Sequence, residues 1–72
     1  MAMKDKRSKL VAERVRNGYT QKQLGDKIGV TTTTIVNWEN KTSMPNTAYL
    51  APLADALGMT VEEVVGLFAE ND

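Results

Sequence analysis

Cysteine and histidine are absent from this chain, and aromatics are few: one Trp, one Phe and two Tyr among 72 residues. Without cysteine no disulfide can staple the fold, and with neither thiolate nor imidazole a structural zinc site is not expected. No apolar run approaches the roughly 20 residues that cross a bilayer. The Met1–Lys9 start is polar and lacks the apolar segment of a signal peptide. A cytoplasmic location is therefore the expectation. A domain this small buries only about 60–65% of its unfolded surface, so compact helix packing is the remaining route to stability. An excess of one charge is also missing, since the formal net charge is zero. The distribution says more than the sum. Residues 1–41 carry nine Lys/Arg against four Asp/Glu, whereas residues 42–72 carry five acids and no base. A basic end beside an acidic end suits a protein that lays one face on a polyanion. The bland alternative is a dipolar surface that serves solubility alone.

What is present is organised around Thr20–Asn40, TQKQLGDKIGVTTTTIVNWEN. Thr20 with Gln23 three residues on is a capping-box start, and Gln21–Ile28 reads as a short helix. Gly29 supplies a residue able to turn left-handed after it. Thr31 caps a second helix running to about Asn40. Two short helices joined by a glycine-containing turn form a helix-turn-helix. Leu24, Ile28, Val30, Ile35 and Trp38 are apolar at spacings that aim both helices at one core. Gly25 sits where the helices cross closely, so a larger side chain there is expected to push them apart.

Gln21, Gly25, Gly29, Ile35 and Trp38 are similar, in order and spacing, to the helix-turn-helix of the lambda-repressor-like family (Cro/cI, or xenobiotic-response-element type). Trp38-Glu39-Asn40 resembles that family's usual end of the recognition helix, and the likeness runs from about Leu10 to Phe68. The resemblance implies an all-α, compact five-helix DNA-binding domain with the helix-turn-helix formed by helices 2 and 3. Residues 1–6 are expected to be a flexible N-terminal arm, 7–69 the domain and 70–72 a tail. Lys4, Lys6 and Arg7 then lie where they can touch phosphates or remain merely solvated. The resemblance also implies an internal ion pair between Arg14 and Glu39. Such a pair is structural, because an Arg fork can satisfy a carboxylate away from water, and it sets Arg14 aside as a DNA contact. One departure stands out: the family often has Gly after the Asn, and here Lys41 replaces it. The helix end then lacks its usual left-handed residue unless Asn40 takes that role.

The remaining elements follow from local pattern. A first helix spans about Arg7 to Asn17 and ends at Gly18, with Leu10, Val11 and Val15 as its apolar stripe. Tyr19 packs over the turn to the second helix. Residues 41–46 are a loop by composition. Asn46 is a cap, and Tyr49, Leu50, Leu53, Ala54 and Leu57 form an apolar face ending at Gly58. Pro52 costs about 3 kcal/mol in a helix interior but is tolerated in a first turn. This favours a loose turn over residues 46–50 and a fourth helix from Ala51 or Pro52 to Leu57; a kinked continuous helix is the alternative. Thr60 with Glu63 is a second capping box, opening a fifth helix to about Ala69. Its Val61, Val64, Val65, Leu67 and Phe68 offer more apolar surface than one core contact requires. Either Val64, Leu67 and Phe68 close the bundle, or they form the two-fold dimer contact that the family often builds on its fifth helix.

The chemistry expected of this arrangement is recognition. The N-terminal half of the second helix of such a motif enters the major groove. With Ile35 and Trp38 inward, Thr32, Thr33, Val36 and Asn37 face out as base contacts. Threonine bonds a base edge or sets its methyl against a thymine methyl, and Asn grips adenine by two bonds. A good bidentate contact is worth about 1–3 kcal/mol, so Asn37 is expected to carry most direct specificity. Thr31 and Thr34 serve as cap and packing residue. Gln21, at a helix start favourable to an anion, is a phosphate contact and a buttress for a recognition-helix side chain. Lys22, Asn40, Lys41 and Thr42 are the other phosphate candidates. The bland readings are a solvated Lys22 and a merely exposed threonine run, although four β-branched residues are poor helix formers and need a reason to be there.

Catalysis is not expected. Glu62 and Glu63 already fall at the start of the fifth helix, with Glu63 in its capping box, and no phosphate-cradling loop, metal-ligand cluster, cofactor or small-molecule site appears. The reading is a prokaryotic or phage transcriptional repressor that binds double-stranded operator DNA as a homodimer through helix 5. The competing reading is an interaction module of the same fold, antitoxin-like or partner of an anti-repressor, with little or no DNA binding.

Overall fold

The computed structural model describes residues 9–68. Over them run five α-helices of eight residues each: α1 Lys9–Arg16, α2 Gln21–Ile28, α3 Thr32–Glu39, α4 Leu50–Leu57 and α5 Val61–Phe68. The arm assigned to residues 1–6, the tail assigned to 70–72 and the outer ends given to the first and fifth helices lie outside the described residues.

Local chemistry sets most boundaries. Thr20 accepts from the Gln23 amide at 3.0 Å while the Gln23 side chain accepts from the Thr20 amide at 2.9 Å, a complete capping box. Thr60 and Glu63 repeat it at the start of α5, at 2.9 and 3.0 Å. Gly29 ends α2 at φ 87° and Gly58 ends α4 at φ 68°. A 3₁₀ turn, Thr47–Tyr49, precedes α4 and is capped by Asn46, whose side chain accepts from the Ala48 amide at 2.9 Å. α4 begins at Leu50, one residue before the expected start, so Pro52 falls within the first turn, where an N–H would lack a helical partner anyway.

α2 packs chiefly on α3 and α4 on α5, while α1 lies against α3 and α5. Leu10, Leu24, Ile35, Leu53, Leu57 and Val64 are fully buried at the centre, with Trp38, Ala54, Ala56 and Leu67 around them. Trp38 also meets Tyr49, ring centroids 5.7 Å apart and planes tilted by 53°, a geometry aromatic quadrupoles favour. It thereby ties the end of α3 to the 3₁₀ turn.

One expectation about packing is corrected here, and of the two readings of α5 the bundle-closing one holds for Val64 and Leu67. Val15 is not part of the inner stripe of α1 but 54% exposed. Arg14 occupies the inward position one turn after Leu10 and buries its stem there, which turns Val15 out. In α5, Val64 and Leu67 are core residues, 0% and 6% exposed, so neither is available to a partner. Phe68 is half-buried, and the apolar side chains that α5 presents to solvent are Val61 and Val65.

The end of α3 is a second correction. Asn40 stays right-handed at φ −86°, and Lys41 itself takes the left-handed position at φ 64°. The Lys41 amide donates to Trp38 O at 3.2 Å and the Thr42 amide to Asn37 O at 3.0 Å. These are the paired bonds of a Schellman cap, with lysine where glycine is usual. A side chain in that region costs about 1 kcal/mol or more. Lys41→Gly is therefore expected to raise the unfolding free energy by about 1 kcal/mol, or about 4–8 °C in Tm for a domain of this size. An unchanged melting temperature in calorimetry would show that the loop accommodates lysine without strain.

Candidate nucleic-acid interface

α3 presents its outer face because its inner one is anchored. Ile35 is fully buried and Trp38 is 3% exposed, each held from behind by the core. On the opposite side Thr32 and Thr33 are exposed and Val36 and Asn37 half-buried. The helix starts cleanly: Thr31 Oγ1 accepts from the Thr34 amide at 3.1 Å and lies 3.0 Å from Thr34 Oγ1. Two of the four threonine hydroxyls thus serve the helix start, and those of Thr32 and Thr33 face out.

Gly25 lets the turn between α2 and α3 lie close against α2. A Cβ there would stand 2.7 Å from the Val30 carbonyl oxygen and 3.4 Å from Thr31 backbone. The close neighbour is the turn rather than α3 itself, and it is hooked onto the same residue. Gly29 and Val30 amides both donate to Gly25 O at 2.8 Å.

Beneath α3 lies a polar network that spans three elements. Glu39 is 7% exposed and the one buried charged residue among those described. Its Oε2 accepts from Arg14 Nε at 2.6 Å, and its Oε1 accepts from Gln21 Nε2 at 2.8 Å. Arg14 does not grip the carboxylate with both arms of its fork: Nη1 donates instead to Tyr19 O at 2.9 Å. No buried side-chain N or O among the described residues lacks a partner. The bond to Gln21, absent from the sequence reading except as a general buttress, is what links α2 to the end of α3.

The flanking candidates differ in what they have left to offer. Gln21 gives one amide hydrogen to Glu39, so any phosphate must be met by its remaining groups. Lys22 Nζ pairs with Asp26 Oδ2 at 2.9 Å, but both are well exposed, and an exposed pair of this kind is worth little and easily exchanged. Asn40 and Lys41 are exposed beside the end of α3. Thr42 is exposed too, yet its hydroxyl donates inward, to Asn37 O at 3.2 Å and Oδ1 at 3.3 Å. That proton is not free for a phosphate oxygen, which can only accept.

Elsewhere, Met44, Pro45, Leu50, Val65 and Phe68 line an open apolar groove between the 41–46 loop, the start of α4 and α5. Met44 is 57% and Val65 44% exposed. Among the described residues no His/Cys/Asp/Glu group has metal-binding spacing, and no helix is long and apolar enough to cross a membrane.

Comparison with known proteins agrees with this geometry. A family model described as helix-turn-helix matches residues 10–64. The cryptic phage CTXphi transcriptional repressor RstR of Vibrio cholerae is 29% identical over 66 residues, which cover 92% of this chain but only 59% of that repressor. The uncharacterized HTH-type transcriptional regulator YgzD of Bacillus subtilis is 35% identical over 65 residues, covering 90% of this chain and 98% of its own. No solved structure matches significantly.

Proposed function

The chain belongs to the helix-turn-helix family, and we propose that it is a sequence-specific double-stranded DNA-binding protein, a transcriptional repressor that reads the major groove with α3. The observation that carries this is the outward face of α3, with Thr32 and Thr33 exposed beside Val36 and Asn37 while Ile35 and Trp38 lock the helix from behind. Short side chains on a capped helix suit close approach to base edges. The names of the two relatives, a transcriptional repressor and a transcriptional regulator, support the same role. Gln21, Lys22, Asn40 and Lys41 flank this face as phosphate contacts, and binding weakens as salt rises because counterion release loses its advantage.

Selection of bound duplexes from a random pool, followed by anisotropy titration at several salt concentrations, tests this directly. Lys41→Ala is expected to flatten the slope of log K against log salt by about one and to weaken all duplexes alike. Absence of any enriched sequence, together with no retention on a DNA column, would leave the interaction module as the better reading.

The apolar groove beside α5 supports a second copy as partner. A palindromic operator asks for two reading helices about one helical turn apart, and Met44, Val65 and Phe68 offer an apolar seat whose exposure the monomer does not explain. Val65→Glu keeps the monomer core intact and is expected to give a monomer by sedimentation, with full-operator affinity lower by roughly a hundredfold or more as avidity is lost. A variant that still sediments as a dimer would move the interface elsewhere.

A further inference from the structure

Thr42 meets Asn37 through two donors, its amide and its hydroxyl. The Schellman turn at Lys41 folds the chain back so that the Thr42 amide donates to Asn37 O at 3.0 Å. The hydroxyl then lies 3.2 Å from that same oxygen and 3.3 Å from Asn37 Oδ1. A hydroxyl has one proton to give, shared here between a backbone and a side-chain oxygen. Thr42 is thus held mainly by the Asn37 backbone oxygen, with its hydroxyl also in reach of the side chain expected to do most of the reading.

We propose that Thr42 is a positioning residue for specificity: its hydroxyl clamps the carboxamide of Asn37 in the orientation in which it meets a base. This rests on the reading of Asn37 as a base contact. The clamp uses one lone pair of Oδ1. It leaves the other lone pair and both Nδ2 hydrogens, which is what an adenine edge needs from an asparagine, one acceptor for N6 and one donor for N7. A carboxamide torsion is otherwise broad, and ordering it on binding costs affinity. Fixing it beforehand removes part of that cost and favours one edge geometry over others. The left-handed lysine fits the same account, because the turn at Lys41 is what brings Thr42 back over Asn37.

The test uses the full chain with Thr42→Val, Thr42→Ser, Asn37→Ala and the double variant Asn37→Ala/Thr42→Val. Each is titrated with the selected operator, with that operator changed at each base pair of one half-site, and with an unrelated duplex. Thr42→Val keeps the shape and loses the hydroxyl. Its expected effect is an operator affinity about tenfold lower, in the range of a weakened base contact, with binding to the unrelated duplex and the salt slope unchanged. The loss concentrates at the one base pair whose preference Asn37→Ala also abolishes, Thr42→Ser restores it, and the double variant is no worse than Asn37→Ala. In the free protein, nitrogen relaxation of the Asn37 side-chain amide becomes mobile in Thr42→Val and ordered again in Thr42→Ser, a readout independent of DNA. Equal weakening on every duplex, additive with Asn37→Ala, would make Thr42 a phosphate contact and overturn the clamp. If Asn37→Ala itself leaves sequence preference intact, the reading of Asn37 fails and the proposal fails with it.

Discussion

Glu39→Ala is expected to lower the unfolding free energy by about 3–5 kcal/mol, the cost of breaking a buried charge pair from one side. At 0.05–0.15 kcal/mol per residue, a typical domain of this length has about 4–11 kcal/mol in total, so the loss is a large fraction of the whole and the unfolding midpoint is expected to fall to much lower denaturant. The size of the effect follows from what one carboxylate holds. Its two oxygens are used by Arg14 on α1 and Gln21 on α2 while its backbone ends α3. Removing it strands an arginine whose side chain is only 13% exposed, and leaves the Gln21 amide without its acceptor. Replacing Arg14 and Glu39 together by Met or Leu of similar volume leaves no buried charge unpaired, though Gln21 Nε2 and Tyr19 O lose their partners, so the double variant is expected to be more stable than Glu39→Ala without reaching the parent. The exposed pairs Arg16–Glu13 and Lys22–Asp26 are the internal contrast; alanine at Glu13 or Asp26 is expected to move stability by less than about 1 kcal/mol. Urea titration followed by circular dichroism measures all of these. A loss below about 1 kcal/mol for Glu39→Ala would show that the network follows from packing rather than holding the three helices together.

Much of this molecule is written in local pattern, and local pattern was readable. Both capping boxes, the left-handed Gly29, the fourth helix opening near Pro52 and the outward face of α3 depend on residues no more than four apart, which a sequence displays directly. Where the outcome depends on which of several candidates wins one place in the core, the sequence is silent. On α1 the resemblance placed Arg14 inside with Glu39, as the structure does, but apolar periodicity did not show that Val15 would turn out as a result. Five apolar side chains in the eight residues of α5 leave its rotation undetermined, and only contact with α1 and α4 turns Val64 and Leu67 in and Val61 and Val65 out. The turn after α3 was legible as a departure from the usual glycine but not in its solution. Residue preference argues for Asn40 in the left-handed place; the two backbone bonds to Trp38 and Asn37 put Lys41 there instead. The Gln21–Glu39 bond and the Thr42 clamp were hidden for the same reason. Each joins positions that become neighbours only once two helices, or a helix and a loop, have docked.

Gly25→Ala and Gly66→Ala, each replacing a glycine inside an eight-residue helix, are expected to change stability in opposite directions. In an ordinary helix interior the substitution helps by about 0.5–1 kcal/mol, because alanine restricts the unfolded chain. Gly66 meets that condition, with nothing within 4 Å of the Cβ it would gain, and its variant should melt a few degrees higher. At Gly25 the new methyl would stand 2.7 Å from Val30 O, closer than real Cβ contacts come. No side chain can rotate away to relieve it, since the neighbour is backbone. The turn cannot simply drift either, because the Gly29 and Val30 amides both hang on Gly25 O. Overpacking of this kind costs about 1–3 kcal/mol, so the two variants should differ by about 2–4 kcal/mol in spite of identical chemistry. The consequence for recognition is separate from stability. The turn joins α2 to α3, and a shift of a few tenths of an ångström there is carried to Thr32, Thr33 and Asn37, the proposed base contacts. At a temperature where circular dichroism shows Gly25→Ala folded, operator binding is expected to approach that of an unrelated duplex, while binding to the unrelated duplex, which depends on charge, is retained. A Gly25→Ala protein as stable as Gly66→Ala and undiminished on its operator would mean that the turn yields freely, and that something other than this contact aims the reading helix.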